Sequence, residues 1–195
     1  TWSSFWTNLA KRALLKLSVH KDNTRNWRPN IILFSGGEKA RPHLVEMGLS
    51  LTGKLGALTD FNLVGAENAM PPNQNNTLEK GNKNRAYFLR QFACNNIESG
   101  IKTVTSVYGF SGFEPNTVLM GWAKQTDNLI FLANVLKDLR SKNLNTIFLN
   151  YDKVQGFGKK ERIDIWWNGK GNFLSFALNI LKFLQSAPSL ARCHG

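Results

Sequence analysis

Cysteine is nearly absent: only Cys94 and Cys193 occur in 195 residues, far apart and outside any CxxC spacing. Neither a disulfide framework nor a zinc site is suggested, and a reducing, cytosolic setting fits best. In that setting the sequon Asn75-Asn76-Thr77 reads as a chance pattern rather than a glycan site. Histidine is as scarce. His20, His43 and His194 are scattered, and no Ser or Cys stands in a nucleophile-elbow context, so a triad has nothing to assemble from. Acids are few, 13 against 25 Lys and Arg, and Asp60, Glu67, Glu114 and Asp164 are isolated in sequence, which argues against a catalytic pair. No apolar run approaches the ~20 residues that cross a bilayer. The first residue is Thr rather than Met, as a piece of something longer would show.

What is present is enough apolar residue, 42%, to bury one proper core, and one domain is the expectation at this length. The formal charge of +12 favours an anionic partner: nucleic acid, phospholipid head groups or acidic protein. Nucleic acid ranks lowest, because no helix-turn-helix, RNP-type motif or aromatic platform appears.

From Asn30 short apolar runs alternate with amphipathic stretches, the pattern of βα units on a mostly parallel sheet. NIILFSGG (30–37) reads as a strand ending in a glycine turn, with a helix over 42–54 behind it. ALTDFNLVGA (57–66) is a second strand, and AMPPNQNN marks a surface loop before a short helical stretch around 77–84. AYFLRQFACN is the third strand. KTVTSVY has strand propensity, but Ile97, Ile101, Val104 and Tyr108 recur at intervals of four, three and four, which predicts a helix capped by Asn95 or Asn96. NTVLMGW is the fourth strand, and a helix capped by Thr126 follows, aligning Leu129, Leu132, Ala133, Leu136 and Leu139. NTIFLNY (145–151) is the fifth, completing a doubly wound layer near Asp152. A polar hinge then leads to a strand IDIWW (163–167), the turn NGKGN and a helix FLSFALNILKFL, one further βα unit.

Three segments are candidates for binding chemistry. GGEK follows the first strand and precedes a helix, so Gly36, Gly37 and Lys39 form a candidate anion or nucleotide loop; the competing reading is that a βα turn simply needs glycine. NGKGN (168–172) is read the same way. At the N-terminus, Trp2, Phe5, Trp6, Leu9, Ala13 and Leu17 fall at helical spacing, with Lys11, Arg12 and Lys16 on the remaining surface. A basic amphipathic helix with tryptophans suits the membrane interface; packing on the domain or on a partner subunit accounts for it equally well.

The run NWRPNIILFSGGEKARPHLVE (26–46), then EPNTVLMGW (114–122), then IDIWWNGKGN (163–172), in this order and at these separations, resembles the cytosolic C-terminal domain of the cation-chloride cotransporter family, within the amino acid-polyamine-organocation transporter superfamily. Its carriers are Trp27, Arg28 and Pro29, then Pro115, Asn116, Thr117 and Gly121, then Asp164, Trp166 and Trp167. The resemblance implies a universal-stress-protein-like α/β fold: a doubly wound, mostly parallel five-stranded sheet with helices on both faces, plus one extra βα unit of a truncated second layer. It divides the chain into a basic connector from the membrane domain (1–29), a regulatory domain (30–152) and a hinge with the first unit of an incomplete second subdomain (153–195). It further implies regulation and dimerisation rather than catalysis, at the cytoplasmic face of the cell membrane. The partners would be the transmembrane domain of the same transporter, a second copy and anionic lipid of the inner leaflet; no nucleic acid and no fixed cofactor is expected. The membrane-proximal residues would then be Trp2, Trp6, Lys11, Arg12 and Lys16. The alternative is a stand-alone nucleotide-binding sensor of universal-stress type, although GWAKQTDNL after the fourth strand lacks that class's glycine spacing.

Overall fold

A computed structural model of the chain describes residues 2–19, 27–37, 41–69, 71, 76–80, 85–110, 112–122, 129–158, 162–166, 169, 171 and 173–186. In chain order its elements are α1 (Trp2–Val19), β1 (Asn30–Phe34), α2 (Pro42–Thr52), β2 (Ala57–Val64), β3 (Asn76–Lys80), β4 (Ala86–Ala93), α3 (Ile97–Val107), β5 (Thr117–Gly121), α4 (Leu129–Ser141), β6 (Asn145–Leu149) and α5 (Phe173–Ser186). The strands form one six-stranded sheet, ordered β3-β4-β2-β1-β5-β6. All neighbours pair in parallel except β3, which runs antiparallel to β4. The fold is thus the doubly wound α/β layer that the alternation indicated, with helices on both faces.

β1 and β5 are central, which is why their sequences are uninterrupted apolar runs: with both faces covered, neither needs polar alternation. Ile31 and Leu33 point to one face, packing with Leu58, Tyr87 and Leu119 against Leu44, Val45 and Leu49 of α2. Ile32 and Phe34 point to the other, with Phe61, Val118 and Met120 against Ile101 and Val104 of α3 and Val135 and Leu139 of α4. α3 forms despite its β-branched residues because its spacing serves this second face. The Asn96 side chain caps it by accepting the Ser99 N–H at 2.8 Å. Lys142 ties α3 to α4, donating to Lys102 O and Thr105 Oγ1, both at 2.9 Å, while pairing with Asp138.

Three expectations need correction. The stretch around 77–84, expected as helix, supplies β3 over 76–80, with Leu78 opposite Phe88 and Glu79 opposite Tyr87; 81–84 lie outside the described residues. Pairing there covers the edge β4 would otherwise leave open, a gain that local helix propensity cannot match, and it makes the sheet six-stranded rather than five. Secondly, the stripe expected along α4 is rotated: Val135 and Leu139 are buried, whereas Leu129 and Ala133 are exposed, and Thr126 lies outside the described residues. Thirdly, residues 163–166 join no ladder among the described residues. The chain uses the helix that follows instead: α5 lies on α2, Leu184 enters the first core cluster, and the Trp27 ring meets Phe176 and Phe183 edge-on at 5.9 and 6.0 Å. A helix needs only an apolar surface to bury against, whereas a lone strand needs a free edge in register.

Candidate functional site

β1 connects through α2 to β2 on one side, while β5 lies on the other, so the carboxyl ends of β1 and β5 flank the topological switch point. Open α/β sheets bind their ligands in that crevice. Ser35-Gly36-Gly37 leaves β1 there, with the glycines at φ 73° and 104°, a region that disfavours side chains. The turn is shaped from beneath by Asp60 of β2. That wholly buried carboxylate accepts the Ser35 N–H at 3.1 Å and its Oγ–H at 2.6 Å, and Ser35 Oγ in turn accepts the Gly37 N–H at 3.1 Å. The Gly37 N–H is therefore committed within the turn rather than offered to an anion. Lys39 and its neighbours 38 and 40 lie outside the described residues.

Across the crevice Gly121 ends β5 with an ordinary φ. A Cβ there would sit 3.2 Å from Arg41 Nη1 and 3.3 Å from Leu44 Cδ1, so the glycine admits the start of α2. His43, in the first turn of α2, stacks on Tyr151 with ring centroids 4.2 Å apart and planes within 4°. Burial, then Arg41 and Lys153, push the His43 pKa below its ordinary value of 6.5. The hinge that follows Tyr151 opens as a folded turn. Asp152 Oδ1 accepts the N–H groups of Val154 and Gln155 at 2.7 and 3.2 Å, and Asp152 O accepts that of Gly156 at 2.8 Å.

At the opposite, amino end of the sheet the first two motifs of the resemblance meet. Asn116 Nδ2 donates to Arg28 O at 2.6 Å, and Asn116 Oδ1 accepts from Asn30 N at 3.2 Å and Thr117 Oγ1 at 2.9 Å. Asn30 Nδ2 reciprocates, donating to Phe113 O and Glu114 O at 3.2 and 2.9 Å. The backbone and side chain of Asn145 both donate to Asn116 O, at 3.0 and 3.1 Å, so β6 is registered on the same asparagine. Arg28-Pro29-Asn30 and Pro115-Asn116-Thr117 thus form one joint. Pro29 contributes its carbonyl, which accepts the Ala57 N–H at 3.1 Å.

The tryptophans separate into distinct roles. Trp27 is packed under α5, Trp122 is half-exposed and meets Phe148 edge-on at 5.4 Å, and Trp166 is 90% exposed. Trp166 therefore does not fill the core, and Trp167 lies outside the described residues. Asp164 forms an exposed ion pair with Arg162. On α1, Trp2, Trp6, Lys11, Arg12 and Lys16 are all exposed. Among the described residues no cluster of His, Cys, Asp and Glu could hold a metal, and no helix is long and apolar enough to cross a membrane.

This arrangement defines a doubly wound α/β domain in which Arg28-Pro29-Asn30 and Pro115-Asn116-Thr117 join β1 to β5. No protein-family model matches the chain. The fold is similar to the crystal structure of the cytoplasmic domain of a prokaryotic cation chloride cotransporter, with a TM-score of 0.52, 16% sequence identity, and coverage of 82% of this chain. The chain spans 62% of the length of that domain.

Proposed function

We propose that this chain is a cytoplasmic regulatory and dimerisation domain of a secondary-active cation-chloride cotransporter of the sodium, potassium and chloride type, with no catalysis of its own. The observation that carries this reading is the asparagine joint: the WRPN and EPNT motifs, 86 residues apart, are in hydrogen-bond contact, so they are one structural unit rather than two coincidences. The fold of the cotransporter domain, matched over most of the chain, supports the same reading. On this account residues 1–29 are the connector arriving from the transmembrane domain at the inner leaflet. Residues 30–152 are the regulatory layer, and 153–195 open a second subdomain whose first helix, α5, rests on α2. Trp122 and Trp166, large and exposed, are the side chains offered to a second copy or to that subdomain.

Uptake of a labelled potassium analogue into cells of the source, with the encoding gene intact, disrupted, or deleted only for residues 27–186, tests the function. The reading expects chloride-dependent uptake with the intact gene and its loss in both others. Unchanged uptake on disruption would contradict it. Light scattering on the isolated chain tests the dimer.

A further inference from the structure

α1 is 18 residues long, about 27 Å at helical rise, and carries no acidic residue. Trp2, Phe5, Trp6 and Leu9 lie on one face and are exposed by 80, 55, 59 and 47%. Their rings touch one another, Trp2 to Phe5 at 6.3 Å and Phe5 to Trp6 at 5.4 Å, yet no other described element packs extensively on them. Lys16 and Arg12 follow Leu9 and Phe5 by seven residues, two turns further on and about 20° around the helix, so Lys16 continues the same face and Arg12 stands at its margin rather than on the remaining surface, while Lys11 is exposed opposite. The helix is thus aromatic over its first half and basic over its second.

We propose that α1 is a binding surface for anionic lipid, lying in the plane of the head groups with its Trp2-Phe5-Trp6-Leu9 face turned toward the acyl chains. Indole rings favour that boundary, and the long stems of Arg12 and Lys16 let their charges rise to the phosphates while the stripe beside them is buried. Charge decides between this occupant and a second α1. A second copy of this helix, in either orientation, adds three more cations and no acid, whereas anionic head groups carry the opposite charge. The proposal relies on the cotransporter reading only for which membrane and leaflet are met; the binding itself stands on the helix.

The test is flotation of the 195-residue chain with vesicles of phosphatidylcholine alone or with about 30% phosphatidylglycerol, combined with quenching of tryptophan fluorescence by brominated acyl chains. The expected result is binding to the anionic vesicles, weak binding to neutral ones, and quenching that is lost in Trp2→Ser/Trp6→Ser. Arg12→Glu/Lys16→Glu should lower the partition coefficient by more than about thirtyfold, since loss of each cation near the surface removes about fivefold and each introduced carboxylate repels the head groups. Lys54→Glu/Lys137→Glu, on exposed positions of other elements, should change it far less. Equal binding to both vesicles, or equal loss with the Lys54/Lys137 variant, would overturn the assignment. So would absence of binding from a chain that is dimeric in solution and becomes monomeric in Trp2→Ser/Trp6→Ser, since a second copy would then be the occupant. Failure here leaves chloride-dependent uptake untouched, and failure of uptake leaves vesicle binding untouched, so the two claims fall separately.

Discussion

Replacing Asn116 with alanine removes a side chain that joins the start of β1 to the start of β5. The lost contacts are donation to Arg28 O at 2.6 Å and acceptance from Asn30 N at 3.2 Å and Thr117 Oγ1 at 2.9 Å. Each is worth about 1 kcal/mol net, and the exposed contact to Arg28 contributes least. The Asn30 N–H, in a residue only 8% exposed, would be left without its acceptor, which adds to the loss. The expected destabilisation is about 2–3 kcal/mol. In a chain of this size that corresponds to a fall in Tm of about 4–12 °C. Asn116→Asp keeps the acceptor but sets a second oxygen against Arg28 O, so it should be at least as damaging. Asn145→Ala removes one side-chain donor while its backbone N–H still reaches Asn116 O, so it should cost about 1 kcal/mol or less. Urea unfolding followed by tryptophan fluorescence and far-UV circular dichroism gives the values, provided the two probes coincide and the slope is unchanged. Asn116→Ala within about 0.5 kcal/mol of the parent, or Asn145→Ala as the more damaging change, would refute the reasoning that the two motifs form one joint.

Gly56→Ala should prevent proper folding or destabilise by more than about 3 kcal/mol, because its Cβ would lie 2.2 Å from Pro29 O and 2.8 Å from Thr52 O, both backbone atoms that cannot step aside. Gly36→Ala meets nothing within 4 Å and should cost only about 1–2 kcal/mol from its φ of 73°; thermal melts of the pair separate steric from conformational cost. Trp27→Ala should raise hydrogen exchange across α5 while β1 and β5 stay protected, since two edge-on ring contacts hold that helix down. His43 gives a pH signature. Its folded pKa is lowered, so the unfolded chain binds its proton more readily. The stabilising contribution of neutral His43 is then complete above the unfolded value near 6.5 and declines as pH falls from there through the lowered folded pKa. Stability measured across that window should flatten in His43→Phe, which keeps the stack on Tyr151 without a titrating group.

Much of this fold is legible in the residues, for physical reasons. Apolar runs such as NIILF and TVLM can only be strands buried on both faces, and the spacing of Ile101 and Val104 outweighs their β propensity because a helix must present one face. β3 was hidden because NTLEK has no strand signature of its own; its partner is the exposed edge of β4, a tertiary fact. The same holds for IDIWW, whose apolar alternation looks like a strand although residues 163–166 join no ladder, even with one edge of β6 unpaired among the described residues. At the switch point the glycines were visible, whereas the role of Asp60 was not, because an acid in the middle of a strand announces itself only once Ser35 is seen beside it. Register gave the available clue: Leu33 pairs with Asp60, which puts the carboxylate level with the end of β1. The asparagine joint was half-visible. Pro115 and Asn116 read as turn residues, but nothing local shows that Asn116 reaches Arg28 and Asn30.

The central claim is that this domain hangs from a membrane transporter, and the most direct measurement is the sequence of the encoding gene upstream of the codon for Thr1. The account expects an open reading frame continuing into about a dozen spans of ~20 apolar residues, with Lys and Arg enriched in the loops on the same side as α1. A start codon immediately before Thr1 with no such spans upstream would contradict it.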